Sequence, residues 1–254
     1  MMPENNRYFL FLRYKGTNFH GWQIQPGSDT IQNTLDDTLS LVLREEIRTT
    51  GAGRTDSGVH ALFFCAHFDS PKENIDKDNK LIFRLNRLLP SDIAVSSIRK
   101  VITDANARFS ALSRTYEYHI TRNKDPFRTE YAWYVHGALD VTSMNEACSI
   151  LLRYSDFTSF ARLHSDNKTN ICRLMSASWA ETENGLVFTI RADRFLRNMV
   201  RAITGTMIEI GFGKLSLDDF KNIIIARDRG KAGKSAPARG LFLSDIEYPE
   251  VIFK

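Results

Sequence analysis

The sequence predicts an α+β protein built in two halves. Apolar runs of strand length alternate with apolar stripes at helical spacing, and this alternation occurs once over residues 7–101 and again over 115–247. The chain is also longer, at 254 residues, than a single ordinary domain of about 100–200 residues requires. Hydrophobic residues at 43%, charged residues at 25%, 14 Gly and 7 Pro exclude a disordered, collagen-like or disulfide-scaffold chain.

The elements follow in order. Arg7–Tyr14 is rich in β-formers and reads as a strand, followed by the turn-dense GTNFHGWQIQPGSD. Asp29 with Gln32 three residues on makes a capping-box-like start. Ile31, Leu35, Leu39, Val42 and Leu43 then recur at helical spacing. Arg48–Arg54 leads into the glycine-rich GAGRTDSG, and Val59–Phe68 is an apolar run with the length of a buried strand. DSPKENIDKDNK is charged enough to be an exposed loop. Leu81, Ile82, Leu85, Leu88 and Leu89 form a second helical stripe that Pro90 ends, and Ile93–Val101 reads as a strand.

The second half begins with a strand at Thr115–Arg122 and a helix around Met144–Leu152. Strands near Ser176–Ala180 and Leu186–Ala192 precede a helix from Phe195 to about Ile210, a helix near Leu217–Ile225 and a strand at Leu241–Glu247. A boundary between 102 and 112 divides the chain into an N-terminal half, 1–105, and a C-terminal half, 106–254.

The net charge of +4 is mild, but it is unevenly spread. Between Arg191 and Arg239 there are eleven Lys/Arg and five Asp/Glu, a local excess of six. Such a stretch suits a polyanionic partner. Cys65, Cys148 and Cys172 have no CxxC spacing, which points away from a disulfide framework or a zinc knuckle and toward a reducing cytosol. The N-terminal apolar run is short and interrupted by Arg13 and Lys15, so neither a signal peptide nor a membrane-spanning segment is expected.

Three segments could carry chemistry. In GAGRTDSG, Gly51, Gly53 and Gly58 permit backbone angles other residues resist and frame Arg54, Thr55 and Asp56. A dinucleotide loop is excluded, because Asp56 stands where its third glycine belongs and a strand-like run follows. The competing reading is a tight turn whose aspartate caps its own backbone. Asp56, His60, His67 and Asp69 do not make a metal cluster: His60 and His67 are an odd number apart and point to opposite strand faces.

In RFLRNMVRAITG, Arg194, Arg197 and Arg201 fall within about 60° on a helical wheel, with Gly205 on the same face. This is either a solvated basic face or a helix aiming an arginine at an anion, an RNA phosphate or a carboxylate. A carboxylate beside an arginine stays ionised, which a nucleophilic aspartate needs. In RFSALSRTYEY, Arg108 and Arg114 lie near Tyr116 and Tyr118, whose period-two spacing puts both rings on one strand face. That pairing suits a stacked base and a held phosphate, and equally a tyrosine packed in a sheet.

Seven segments in order, YKGTNFHGWQIQ, GAGRTDSGVHA, LNRLLPSDIAV, ARFSALSRTYEY, DFTSFA, FLRNMVR and GLFL, resemble the tRNA pseudouridine synthase A family over nearly the whole chain. Ser57 and Phe242 depart from it, standing where the family often has Ala and Tyr. The resemblance implies two ferredoxin-like halves flanking a central cleft, a homodimer, and isomerisation of uridine to pseudouridine at positions 38 to 40 of the tRNA anticodon stem-loop, with neither cofactor nor metal. It makes Asp56 the nucleophile, attacking either C6 of the uracil or C1′ of the ribose. Tyr116 would pack on the uracil and help move a proton, and Arg201 would pair with Asp56. Arg54 and Arg108 match positions of tRNA contact and base flipping, and His164 to Lys168 a tRNA-contacting loop. A noncatalytic RNA-binding module is the alternative; a metal-dependent nuclease using Asp56 is a third.

Overall fold

The computed structural model describes residues 5–163 and 168–254. Among the described residues it is a mixed α and β structure with mostly antiparallel pairing and five α-helices. The backbone forms two compact units, one of residues 1–112 with Leu243–Lys254 and one of Ser113–Phe242. The C-terminal segment thus belongs with the first unit, whereas the sequence assigned everything after residue 105 to the second half.

The first unit holds β1 (Asn6–Tyr14), α1 (Ile31–Leu43), β2 (Thr50–Gly51), β3 (His60–Ser70), α2 (Leu81–Leu88) and β4 (Ile93–Val101). β1 pairs antiparallel with β3 on one side and β4 on the other, with Phe9 opposite His67 and Arg99. Five consecutive residues of β1, Tyr8–Leu12, are buried, so both faces of the strand are covered. On one face Tyr8 stacks on Phe68, and Tyr14 and Trp22 pack on Phe64. The other face is covered by the returning chain end, where Phe253 lies edge-on to Phe9 and Tyr248 sits 5.2 Å from the same ring. The Arg99 guanidinium closes over Phe253 at 3.8 Å. α1 buries Ile31, Leu35, Leu39 and Leu43. Its cap is Thr30, not Asp29: Thr30 is extended and its Oγ1 accepts from the Asn33 amide at 3.3 Å. Gln32 is spent elsewhere, donating to the Thr49 carbonyl at 2.7 Å and accepting from Gln23 and the Ile24 amide.

The second unit holds β5 (Ser113–Thr121), β6 (Trp133–Tyr134), α3 (Val141–Leu151), β7 (Leu174–Thr182), β8 (Gly185–Ala192), α4 (Met199–Gly211) and α5 (Leu217–Ala226). β8 is central, antiparallel to both β5 and β7, and β6 runs parallel to β5. Trp179 and Phe188 stack at 4.9 Å, and the Trp179 indole donates to the Met207 sulfur of α4. α5 starts on a capping box between Ser216 and Asp219.

α4 begins four residues later than its apolar periodicity suggests. Asn198 takes a left-handed φ of 67°, and the preceding backbone is engaged otherwise: Arg194 N–H donates to the side chain of its neighbour Asp193 (Oδ1, 2.7 Å), and Arg197 C=O makes a tertiary bond, accepting from Arg162 N–H at 3.0 Å. Arg194 and Arg197 therefore precede the helix, and the expected stripe of three helical arginines reduces to Arg201. Gly205 lies against backbone: a Cβ there would stand 1.8 Å from the Lys234 carbonyl oxygen. Among the described residues no helix is long and apolar enough to cross a membrane.

Candidate active site

The GAGRTDSG segment is the connection from β2 to β3, and the N-terminal YKGTNFHGW segment shapes it. Tyr14 OH lies 2.9 Å from Thr55 Oγ1, a buried contact at the residue before Asp56. The Trp22 amide donates to the Thr55 carbonyl, the Val59 amide to the Asp56 carbonyl, and the Gly58 amide to the Phe19 carbonyl. Two glycines make this approach possible. A Cβ on Gly16 would stand 2.0 Å from the Val59 carbonyl oxygen, and one on Gly21, at φ +85°, 2.3 Å from that of Thr55. Thr55 is consequently buried, Asp56 half-buried and Arg54 exposed. The turn is fixed through its backbone and through Thr55, and it carries a carboxylate and a guanidinium toward accessible surface.

Arg54 and Arg108 come together on one groove of about 130 Å³, whose wall includes Trp22, Gln32, Thr49 and Gly51. Behind that wall Asp36 of α1 is buried, and its Oδ1 accepts from both the amide (3.0 Å) and the hydroxyl (2.6 Å) of Thr49. Burial pushes the Asp36 carboxyl up to about 6, against the pull of the Thr49 bonds. His60 and His67 are both buried, and each uses Nδ1 as an acceptor for a backbone amide, His60 for Gly16 and His67 for Ala107. Burial, helped by the Arg7 charge, lowers His67 to about 4, so its ring is neutral at pH 7.

In the second unit Tyr116 is half-buried on β5, opposite Ile190, with its ring edge-on to Phe195 at 5.1 Å. Tyr118, on the same strand face, is buried, and its hydroxyl donates to the Pro237 carbonyl at 2.7 Å. Burial raises its phenol well above the ordinary tyrosine range. Arg201 stands in the first turn of α4, half-buried, and its Nε donates to the Ala236 carbonyl at 2.7 Å. Arg201 and Tyr118 thus hold successive carbonyls of one segment. Phe242 is buried with its ring edge-on to His119.

DFTSFA proves to be an anchor: Phe157 and Phe160 are buried, and Ser159 bridges the Ile223 carbonyl and the Asp228 amide. Asp156 accepts from Thr158 and pairs with Arg227 at 2.9 Å; these bonds outweigh its partial burial and lower its pKa. His164 lies outside the described residues, and Lys168 is exposed. Sequence reasoning missed Tyr14, Asp36 and His67, which brace Thr55, Thr49 and Ala107. The Tyr14 contribution had a signal, because two glycines spaced among aromatics just after a strand mark a close approach of backbone.

A family model described as tRNA pseudouridine synthase matches residues 147–249. Full-length similarity extends further. The tRNA pseudouridine synthase A of Bacteroides fragilis is 55% identical over 249 residues, 98% of both chains. That of Parabacteroides distasonis is 53% identical over 247 residues, 97% of this chain and 98% of its own. That of Bacillus subtilis is 38% identical over 241 residues, 93% and 97% of the two chains.

Proposed function

The chain belongs to the tRNA pseudouridine synthase A family, and from that premise we propose that it isomerises uridine to pseudouridine in tRNA with Asp56 as nucleophile. The observation that carries this reading is the anchored turn, which fixes Thr55 by its hydroxyl and its carbonyl and leaves the Asp56 carboxylate half-exposed beside Arg54. Asp56 attacks C6 of the uracil or C1′ of the ribose; the N1–C1′ bond breaks, the base turns and C5 bonds to C1′, after which the bond to Asp56 breaks to return the carboxylate and the proton lost from C5 is matched by one taken up at N1. Atoms are conserved and nothing is oxidised, so the chemistry calls for no electron or group carrier.

In this reading Tyr116 packs on the uracil and takes part in proton movement, and Arg201 keeps the Asp56 carboxylate ionised. Arg54 and Arg108, on one groove, hold phosphates while the uridine leaves its stack, a step costing a few kcal/mol that ionic contacts offset. Lys168, with His164, contacts the same RNA. The anticodon stem-loop at positions 38 to 40 is the proposed target. The finer architecture is a pair of ferredoxin-like halves acting as a homodimer in the cytoplasm, where three buried thiols stay reduced.

Unmodified tRNA tritiated at uracil C5 tests the chemistry, because C5–C1′ bond formation expels the label. The expected result is release by the wild type and none by Asp56→Ala, with tRNA binding retained. Binding without release by the wild type would identify a noncatalytic RNA-binding module, and EDTA-sensitive strand cleavage a nuclease. Mapping pseudouridine in the product tests the site of modification.

A further inference from the structure

We propose that His67 and Tyr248 are positioning residues for Arg108, gripping the residue before it from opposite sides so that its guanidinium is presented at the groove. The proposal rests on the reading of Arg108 as an RNA contact. The loop after β4 has its backbone almost fully engaged. Ala107 is buried; its N–H donates to His67 Nδ1 at 3.1 Å and its C=O accepts from Tyr248 OH at 2.5 Å. Asn106 Oδ1 accepts from the Arg108 and Phe109 amides at 2.9 and 3.2 Å, and the Asn106 amide donates to Ser110 Oγ. Bonds from that many partners restrict the backbone of this loop.

Two side chains project from it. Arg108 is exposed on the groove that Arg54 also lines, and Phe109 is 79% exposed with the Arg108 guanidinium 5.4 Å from its ring centroid. An exposed cation beside an exposed aromatic ring, on a rigid backbone, is the equipment for a phosphate and an unstacked base. Fixing the backbone at Arg108 in advance leaves only its side chain to be ordered when RNA binds. The two supports are themselves rigid: His67 is opposite Phe9 in the sheet, and the Tyr248 ring packs edge-on to Phe9. The C-terminal segment, remote in sequence from every recognised motif that touches RNA, thereby acts on the groove.

The test is kcat/KM for C5-tritium release from tRNA by Tyr248→Phe, His67→Asn, His67→Leu, Arg108→Ala and the double variant Tyr248→Phe/Arg108→Ala. Tyr248→Phe keeps the ring and removes only the hydroxyl, which also meets the buried Cys65 side chain; the loss of its bond to the Ala107 carbonyl is expected to lower kcat/KM about fivefold, mostly through KM. In the Arg108→Ala background the same change is expected to have no further effect, a non-additivity that a merely structural hydroxyl would not produce. His67→Asn, which keeps an acceptor where Nδ1 stood, is expected to retain more activity than His67→Leu. Equal fold losses from Tyr248→Phe in both backgrounds, or none in the wild-type background while Arg108→Ala is impaired, would overturn the positioning role alone. An unimpaired Arg108→Ala would overturn the reading of Arg108, and the proposal with it. Should His67→Leu fail to fold, the Tyr248→Phe cycle decides.

Discussion

Two buried titratable groups stand behind the groove, and they make opposite demands on pH. Asp36 has its pKa raised to about 6 by burial, with Thr49 bonds, Arg48 and Asp37 acting on it as well. The unfolded value is about 3.9, so as pH falls the folded state takes up the proton first and gains stability. From pH 7 to pH 5 this gain is about 1.3 kcal/mol. His67, lowered to about 4 by burial and Arg7 against the opposing pull of Asp69, behaves in reverse. Its unfolded value is about 6.5, so the unfolded chain is protonated first and stability falls, by about 1.8 kcal/mol over the same interval. Together they nearly cancel in the wild type. Asp36→Asn preserves an acceptor for the Thr49 amide and hydroxyl while abolishing the gain. Relative to wild type, it is expected to lose about 1.3 kcal/mol more on acidification from pH 7 to 5; His67→Asn is expected to lose about 1.8 kcal/mol less. Urea unfolding followed by tryptophan fluorescence at the two pH values measures both, Trp22 lying on the groove wall. Other carboxylates contribute equally to all three proteins and drop out of the comparison. Wild-type and variant profiles parallel within about 0.3 kcal/mol would refute the assignment, and so would shifts of the opposite sign.

Other expectations follow from the packing around the motifs. Tyr14→Phe leaves the buried Thr55 hydroxyl without its 2.9 Å partner; a loss of about 1–3 kcal/mol in stability, read by urea unfolding, and a lower kcat for tritium release are expected. Gly21→Ala places a methyl 2.3 Å from the Thr55 carbonyl at a φ of +85°. It should displace the Asp56 turn, so that single-turnover tritium release falls further than tRNA affinity does. Lys231 and Lys234 are exposed in the basic C-terminal stretch; alanine at either is expected to weaken tRNA binding for all sequences and to reduce the log–log salt slope by about 1, read by filter binding across a salt series.

The elements that carried strong periodicity were legible: β4 occupies the span expected of it, and α1, α3 and α5 fall where their apolar stripes lie. The errors were of one physical kind. At Asn198 the apolar pattern of Phe195, Met199 and Ile203 is compatible with one continuous helix, but Asn198 is left-handed and the Arg197 carbonyl before it is tied to Arg162. At Thr30 two adjacent residues were both good caps, and the backbone angle decided between them. Local chemistry cannot rank such alternatives, because the deciding partners, Arg162 for one, lie far away in the chain. Tyr248 was illegible for the same reason: it is 141 residues from the Ala107 carbonyl it serves.

The recognised motifs turn out to encode placement more than chemistry. Of YKGTNFHGW, the side chain and glycines described above act on Thr55 and Val59, one residue before the carboxylate and three after it, while DFTSFA contributes buried rings and a serine that holds Asp228. The same holds for Arg201 and Tyr118, which grip adjacent carbonyls of the segment lying on Gly205. A motif of this sort constrains sequence because several of its residues press on or bond backbone, where a substitution shifts whatever that backbone presents. In the proposed reading the chemistry falls to a few side chains that keep some exposure: Asp56, Tyr116 and Arg201, half-buried, and Arg54 and Arg108, exposed. Variants of the supporting residues should therefore mimic variants of the side chains they position, with smaller losses in rate, and that correspondence can be measured residue pair by residue pair in double-mutant cycles.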